Sequence, residues 1–205
     1  LKPVGVLDFT LIVSDTPCAA AGVFTTNQVK AAPVLVDMAK LQKNPNGIRA
    51  VAVNTKCANA CTGQQGIDNA NEMARLVAEQ LGCSEDDVLV MSTGVIGTQL
   101  PMDKIKRGVE LSANALGDDW NSAAQGIMTT DTRQKLEQLE VKLPDGRRFR
   151  ITGIAKGAGM IAPNMATMLS VIVTDAVIDQ QQMERIFRNA NDVTFNSIAV
   201  DGDTS

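Results

Sequence analysis

The residue with the most distinctive chemical potential is Thr167, which directly precedes an apolar stretch at residues 168–173. A threonine at a new N-terminus can use its own α-amino group as the base for its hydroxyl, so nucleophile and base form a pair without histidine. The α-amino group has an ordinary pKa of roughly 7.7–8.0, which suits proton transfer near neutral pH. Inside an uncut chain, however, a threonine at the start of a buried strand is usually a structural β-former. Chemistry alone leaves both interpretations open.

The composition excludes the common alternatives to that chemistry. The chain of 205 residues contains no histidine, so serine–histidine triads, cysteine–histidine dyads and histidine-ligated metals are excluded within it. Its four cysteines do not form the two close pairs of a zinc site, and we expect no metal and no cofactor. Catalysis must therefore come from Ser, Thr, Cys, Lys, carboxylates or backbone amides.

Charge and hydrophobicity limit the partners. The 19 basic and 23 acidic residues give a net charge of -4 and no basic stripe, which argues against binding nucleic acid. No apolar run approaches the ~18 residues of a membrane helix, so no membrane partner is expected. With 44% hydrophobic residues, the chain has the composition of an ordinary domain. Its four cysteines are typical of thiols in a reducing compartment and it has no membrane-spanning run, so we expect it to be cytoplasmic.

Two glycine-containing stretches and one hydroxyl-rich stretch are candidate sites. Residues 92–98 (STGVIGT) follow an apolar strand and precede a helix, so their backbone amides could hold a phosphate, a carboxylate or an oxyanion. A tight strand-to-helix turn explains the same residues equally well. Residues 156–167 (KGAGMIAPNMAT) place a lone lysine, Lys156, in a glycine-rich segment that ends at Thr167. Residues 128–132 (MTTDT) are, on chemistry alone, a hydroxyl-rich loop.

The elements that must position these segments are predicted from apolar spacing. Strand-like alternation or apolar runs occur at residues 5–14, 48–53, 88–91, 139–143, 149–153 and 168–173. A turn at 15–17 precedes another apolar stretch, residues 19–25. Three- and four-residue spacing predicts helices at 67–81, 105–116 and 179–190. Because hairpins occur among interleaved strands and helices, we expect an α/β fold with antiparallel pairs covered by helices, not a purely parallel doubly wound sheet.

Several of these segments together resemble one enzyme family. The run KGAGMIAPNMATML closely resembles the self-cleavage segment of the ornithine acetyltransferase family, the glutamate N-acetyltransferases of arginine biosynthesis. Four further segments look like that family's and follow its order. They are AAGVFTTNQVKAAP (20–33), NACTG (59–63), STGVIG (92–97) and MTTDT (128–132). Five matches in order make this resemblance specific.

The resemblance implies a role for individual residues. Members of the family cut themselves before the threonine of the ATML sequence, here between Ala166 and Thr167. Thr167 would then become the N-terminal nucleophile and carry the acetyl group. Thr93 and Gly94 match the family's oxyanion-stabilising pair, and Thr132 and Lys156 match its substrate-contacting threonine and lysine.

The resemblance also implies an assembly and a reaction. Residues 1–166 would be the α chain and residues 167–205 the start of a β chain, whose later residues would complete the substrate pocket. The family fold is a layered α/β arrangement of sheets packed between helices, and its assembly is an α2β2 tetramer. Acetyl would pass from N-acetylornithine to glutamate, with acetyl-CoA as an additional donor in some members.

Two other functions are compatible with parts of the sequence. An N-terminal-nucleophile amidohydrolase or aminopeptidase of related fold would differ only in passing the acyl group to water. A non-catalytic module that binds small anions would use residues 92–98 and Lys156. The second alternative explains the glycine loops but not the position of Thr167 after Ala166.

Overall fold

The computed structural model describes residues 5–162 and 167–203. Within these ranges the strands are β1 (Phe9–Cys18), β2 (Ile48–Cys57), β3 (Val88–Val95), β4 (Lys135–Lys142), β5 (Arg148–Lys156) and β6 (Leu169–Thr174). The helices are α1 (Ala32–Lys43), α2 (Gly63–Leu81), α3 (Met102–Asn114), α4 (Trp120–Gly126) and α5 (Gln180–Val193). Short 3-10 turns lie at Glu85–Asp87 and Phe195–Ser197. In the part of the chain described, no helix is long and apolar enough to cross a membrane.

The first sheet has the strand order β1-β2-β3 and combines two kinds of pairing. β1 runs antiparallel to β2, whereas β2 and β3 run parallel, with Ala52 opposite Val90. The chain passes from β2 to β3 through α2, which buries Met73 and Val77 in the core. Because parallel strands end at the same edge of a sheet, the loops that follow β2 and β3 lie side by side.

The two faces of β2 contact different layers. Ala50 and Ala52 pack into a core shared with α1, α2 and α3, whereas Val53 packs with α4 and with Ile154 of β5. β5 is the central strand of a second, antiparallel sheet with the order β4-β5-β6. The layers are therefore helices, first sheet and second sheet. This α/β arrangement with antiparallel pairs confirms the predicted fold class.

The N-terminal part of the chain differs from the prediction. The expected turn at residues 15–17 is wrong, because these residues lie inside β1, where the pairing with β2 shifts between Val13 and Cys18. Such an irregularity bends a strand without ending it, and an edge strand tolerates the proline at position 17. Residues 19–25 form no strand, and the helix α1 that follows them is not predicted by the apolar spacing.

A buried acid and a buried base on α1 cover the open edge of β3. Asp37 and Lys40 are each only 6% exposed. The backbone N–H of Val90 donates to Oδ1 of Asp37 at 2.9 Å, and Nζ of Lys40 donates to the carbonyls of Val88 and Glu85, at 2.9 and 2.5 Å. An edge strand leaves backbone groups without a strand partner. These two side chains therefore supply hydrogen bonds that a further strand would otherwise make.

The titration of Asp37 predicts a pH-dependent stability. Burial raises the pKa of Asp37 to about 8, against the opposing effects of the Val90 hydrogen bond and of Lys40. A carboxyl group whose pKa is raised in the folded state stabilises that state fully at pH values below its unfolded-state pKa. This stabilisation is lost as the pH rises through the folded-state pKa. For the full-length protein, we expect the free energy of unfolding to fall between pH about 4 and 8, by up to ~1.4 kcal/mol per pH unit. Asp37→Asn should flatten this slope in denaturant unfolding at several pH values.

A matched control separates this effect from a general loss of negative charge. Glu110→Gln removes an acidic group from the exposed face of α3. Because that side chain stays in water in both states, the variant should keep the slope of the unchanged protein. Equal slopes in Asp37→Asn and the unchanged protein would contradict the assignment to Asp37.

Candidate active site

The carboxyl ends of β3 and β5 meet through one buried lysine. Lys156, the last residue of β5, is only 3% exposed, so it is not a solvated loop lysine. Its Nζ donates a hydrogen bond to Oγ1 of Thr93 on β3 at 3.2 Å, and another to the backbone carbonyl oxygen of Thr167 at 3.3 Å. Lys156 therefore links the first sheet to the segment that leads into β6.

Gly94 lies where β3 comes close to the backbone of β2. It pairs with Lys56 and has a φ of 137°, a backbone conformation that L side chains rarely adopt. A Cβ atom at this position would overlap the backbone of Lys56 and Cys57. The predicted glycine loop at residues 92–98 therefore begins inside β3, and its first glycine is required by the contact between two strands.

The loops that follow β2 and β3 bind each other through their backbones. The N–H of Ala58 donates to the carbonyl of Val95 at 2.9 Å, and the N–H of Gly97 donates to the carbonyl of Ala60 at 2.8 Å. Two backbone hydrogen bonds of opposite direction fix one loop against the other. As a result, the backbone around Thr93 has a defined position.

Hydrogen bonds of polar side chains hold these two loops in place. Asn59, which has a φ of 49°, donates from Nδ2 to the carbonyl of Gly66 at 2.8 Å and accepts from Oγ1 of Thr62 at 2.8 Å. Nε2 of Gln99 in turn donates to the carbonyl of Thr62 at 2.9 Å. The segment NACTG thus has a structural function, which is to hold the loop after β2 against the loop after β3.

Asp131 belongs to the site, although the sequence predicts a role only for its neighbour Thr132. Its side chain has no exposed area, and it accepts hydrogen bonds from the N–H of Gly157 at 2.8 Å and of Thr129 at 3.2 Å, as well as an ion pair from Lys135. Burial raises the pKa of Asp131, but these hydrogen bonds outweigh burial and hold the pKa below its ordinary value. Asp131 is therefore a buried negative charge that is bound to Gly157, the residue after Lys156.

The electrostatics of Lys156 follow from these neighbours. Burial lowers the pKa of Lys156, Asp131 opposes that shift, and Lys135 adds to it. Lys156 therefore loses its proton at a lower pH than an ordinary lysine. While it is protonated, this cation has little surrounding water, and its attraction for a nearby negative charge is correspondingly strong.

The structure brings together four of the six predicted site residues. Thr93, Gly94, Lys156 and Thr167 form one cluster. Thr132 is exposed, and its connection to the cluster runs through Asp131, which binds the residue after Lys156. The sixth residue, Ala166, lies outside the described residues. The chemical roles of all six stay predictions.

The cluster has the groups needed to stabilise an oxyanion. A threonine hydroxyl has one proton to donate and two lone pairs, whereas an ammonium group can only donate. Lys156 therefore occupies a lone pair of Thr93 and leaves the hydroxyl proton of Thr93 to another acceptor. The hydroxyl of Thr93, which lies beside the ammonium of Lys156 and close to Thr167, is a donor of the kind that acyl transfer requires. In the described ranges, no three Cys, Asp or Glu side chains group together as a metal site would require.

Comparisons with known proteins agree over the whole chain. Residues 1–205 match the model of the ArgJ family. The chain is 53% identical over 207 residues to the arginine biosynthesis bifunctional protein ArgJ of Geobacter sulfurreducens, and 52% identical over 198 residues to that of Thermotoga neapolitana. These alignments include 100% and 97% of this chain but 52% and 50% of the relatives. The chain thus spans about half the length of the curated relatives it matches.

Solved structures show the same fold. The ornithine acetyltransferase of Mycobacterium tuberculosis, in complex with ornithine, aligns with a TM-score of 0.72 and 39% identity, over 84% of this chain and 87% of that one. The arginine biosynthesis bifunctional protein of Bacillus halodurans aligns with a TM-score of 0.69 and 37% identity, over 78% and 83%. These similarities confirm the predicted layered α/β fold.

The close contact between β2 and β3 predicts a strong requirement for glycine at position 94. Gly94→Ala in the full-length protein should lower the free energy of unfolding by more than the roughly 1–3 kcal/mol of a strained backbone, because its methyl group would also overlap Lys56. Gly97→Ala is the matched control, since Gly97 has a φ of 81° but has open space around it. Denaturant unfolding of both variants measures the difference, and equal losses would contradict the steric requirement.

Proposed function

This chain belongs to the ArgJ family, and on that premise we propose that the full-length protein moves an acetyl group from N-acetylornithine to glutamate. The proposed role is in arginine biosynthesis, as the names of the relatives indicate. The observation that carries the proposal is the contact of Lys156 with both Thr93 and Thr167. It joins a hydroxyl donor, a cation and a candidate nucleophile in a chain without histidine.

Maturation is the first step of the proposed mechanism. Oγ of Thr167 attacks the carbonyl carbon of Ala166, the C–N bond breaks, and the proton of the hydroxyl passes to the released nitrogen. The resulting ester is then hydrolysed by water, whose hydroxyl joins the acyl carbon while its remaining proton returns to Oγ. These two steps free the α-amino group of Thr167, which can then act as the base for the neighbouring hydroxyl.

Acetyl transfer then uses the same hydroxyl twice. Oγ of Thr167 attacks the acetyl carbonyl of N-acetylornithine while the α-amino group takes up its proton. The hydroxyl of Thr93 and the N–H of Gly94 are the proposed donors to the oxyanion. Ornithine leaves with that proton, and the acetyl group stays on Thr167 as an ester. In the second half-reaction the amine of glutamate attacks the ester carbonyl, the bond to the threonine oxygen breaks, a proton of the amine returns to that oxygen, and N-acetylglutamate leaves.

Substrate recognition is assigned to Lys156 and Thr132. The ammonium of Lys156 suits the carboxylate of an amino-acid substrate through a charge-assisted hydrogen bond. Its proximity to Thr93 places this bond next to the proposed oxyanion site. Thr132, which lies beside the anchored Asp131, would contact the substrate from the surface of the same cluster.

The remaining parts of the proposal concern the whole protein. Residues 1–166 would become the α chain, and residues 167–205 would begin the β chain of an α2β2 tetramer in the cytoplasm. The donors would be N-acetylornithine and, as an additional substrate, acetyl-CoA, with no bound cofactor. The neighbour from Mycobacterium tuberculosis, which is solved with ornithine, supports an amino-acid substrate of this kind.

One assay separates transfer from hydrolysis. The full-length protein is given N-acetylornithine with and without glutamate, and both free acetate and N-acetylglutamate are measured. A transferase forms N-acetylglutamate only when glutamate is present, whereas an amidohydrolase releases acetate in both cases. An intact single chain with neither product would favour the anion-binding module.

Self-cleavage and transfer should depend on the same hydroxyl. Full-length Thr167→Ala should remain one uncut chain without transferase activity, because no side-chain hydroxyl remains at position 167 to attack the bond. Thr167→Ser should keep part of both functions. Intact-protein mass and the acetyl-transfer assay measure the two outcomes. Thr174→Ala, at the far end of β6, is the matched control and should be cut normally. Cutting of Thr167→Ala without added protease would contradict the mechanism.

Lys156 should contribute mainly to substrate binding. In the cut enzyme, Lys156→Met should raise the KM for glutamate and for N-acetylornithine about tenfold or more, which corresponds to the loss of one charge-assisted hydrogen bond. Lys142→Met, which removes an exposed ammonium from β4, is the matched control and should leave both constants unchanged. Unchanged kinetics in Lys156→Met would remove this lysine from the substrate site.

A further inference from the structure

Asp201 binds the backbone of the segment that leads to the proposed cleavage bond. Its Oδ2 accepts a hydrogen bond from the N–H of Met160 at 2.8 Å, and its Oδ1 accepts one from the N–H of Ile161 at 3.2 Å. The N–H of Val200 also donates to the carbonyl of Ile161 at 2.8 Å. Three hydrogen bonds therefore attach residues 160–161 to a turn some forty residues further along the chain.

The attached segment belongs to the connection between two paired strands. Lys156 of β5 lies opposite Leu169 of β6, so residues 157–168 join the ends of neighbouring antiparallel strands. The bond before Thr167 is part of this connection. Within its described part, Ile161 is only 2% exposed and its side chain packs against Gly157. The segment thus folds back towards the site.

We propose that Asp201 is a positioning residue for self-cleavage. Its carboxylate fixes the backbone of Met160 and Ile161, and this restricts the conformations from which the hydroxyl of Thr167 can attack the bond before it. Once the bond is cut, the same contacts join the end of the α chain to the β chain and retain it. This inference rests on the proposed function, because it concerns the same cleavage.

Two features of the segment fit this assignment. Met160 has a φ of 53°, a conformation that costs a non-glycine residue energy and persists only where its surroundings impose it. Gly159 leaves room for the carboxylate, since a Cβ there would lie 3.3 Å from Oδ2 of Asp201. The hydrogen bond from Met160 lowers the pKa of Asp201 more than burial raises it, so the group is charged at neutral pH.

Positioning matters because the reaction is intramolecular. The C–O bond to Thr167 forms and the C–N bond breaks at one carbonyl carbon, while the hydroxyl proton passes to the nitrogen and water later hydrolyses the ester. Each rotation that takes this carbonyl away from the hydroxyl lowers the fraction of reactive conformations. Asp201 restricts the chain five residues before that carbonyl.

The test measures the rate of cutting in the full-length protein. Freshly synthesised chains of the unchanged protein, Asp201→Asn and Asp201→Glu are followed by intact-protein mass. An amide has one acceptor oxygen where the carboxylate has two, so Asp201→Asn should be cut about tenfold more slowly. Asp201→Glu keeps both acceptors and should be cut faster than Asp201→Asn. Gly159→Ala, which crowds the carboxylate, should also slow the cut.

Controls separate positioning from general stability and from the proposed function. Asp192→Asn, which removes an exposed charge from α5, should be cut at the unchanged rate. In the uncut background of Thr167→Ala, Asp201→Asn should speed hydrogen exchange at the amides of residues 160 and 161 without moving the unfolding midpoint. Cutting of Asp201→Asn at the unchanged rate, or unaltered exchange at these amides, would overturn the role of Asp201. Failure of the unchanged protein to cut would instead overturn the proposed function.

Discussion

The buried ammonium of Lys156 is the interaction on which the arrangement of the site depends. A cation removed from water must have hydrogen-bond acceptors, and these come from Thr93 of one sheet and Thr167 at the entrance to the other. Asp131 supplies the compensating negative charge and is itself fixed by the backbone of Gly157. These hydrogen bonds therefore favour the observed docking of the two sheets, because they give the buried lysine its partners.

The absence of histidine explains why the residues of the proposed site are distributed along the chain. Without histidine, a hydroxyl nucleophile needs another base, and the proposed base exists only after the chain is cut. The proposed oxyanion donors, Thr93 and Gly94, lie at a different strand end, which the parallel pairing of β2 and β3 holds in place. Gly94 is the point where this pairing becomes too close for a side chain. The close contact of the two strands at Gly94 therefore fixes the backbone beside Thr93.

Particular residues explain how far the sequence predicts this structure. α2 follows directly from apolar spacing, because its apolar residues face one core, and β3 follows from an apolar run, because both of its faces are covered. α1 escapes prediction because its buried face carries Asp37 and Lys40, whose partners are backbone groups of β3. Asp131 is missed for the same reason. A buried charge has the sequence signature of an exposed one, and only the tertiary hydrogen bonds reveal its position.

Backbone strain connects the fold to the proposed cleavage. Among the described residues, the non-glycine positions with positive φ are Lys56, Asn59, Cys61, Met160 and Thr167, and all lie at the end of β2, in the loop that follows it or in the connection between β5 and β6. For a β-branched residue such as Thr167, a φ of 67° is especially unfavourable. The torsion φ of Thr167 is defined by the carbonyl carbon of the preceding residue. Cutting that bond removes the torsion and its energetic cost, so the uncut chain is disfavoured at the very bond whose cleavage would release the nucleophile's amine.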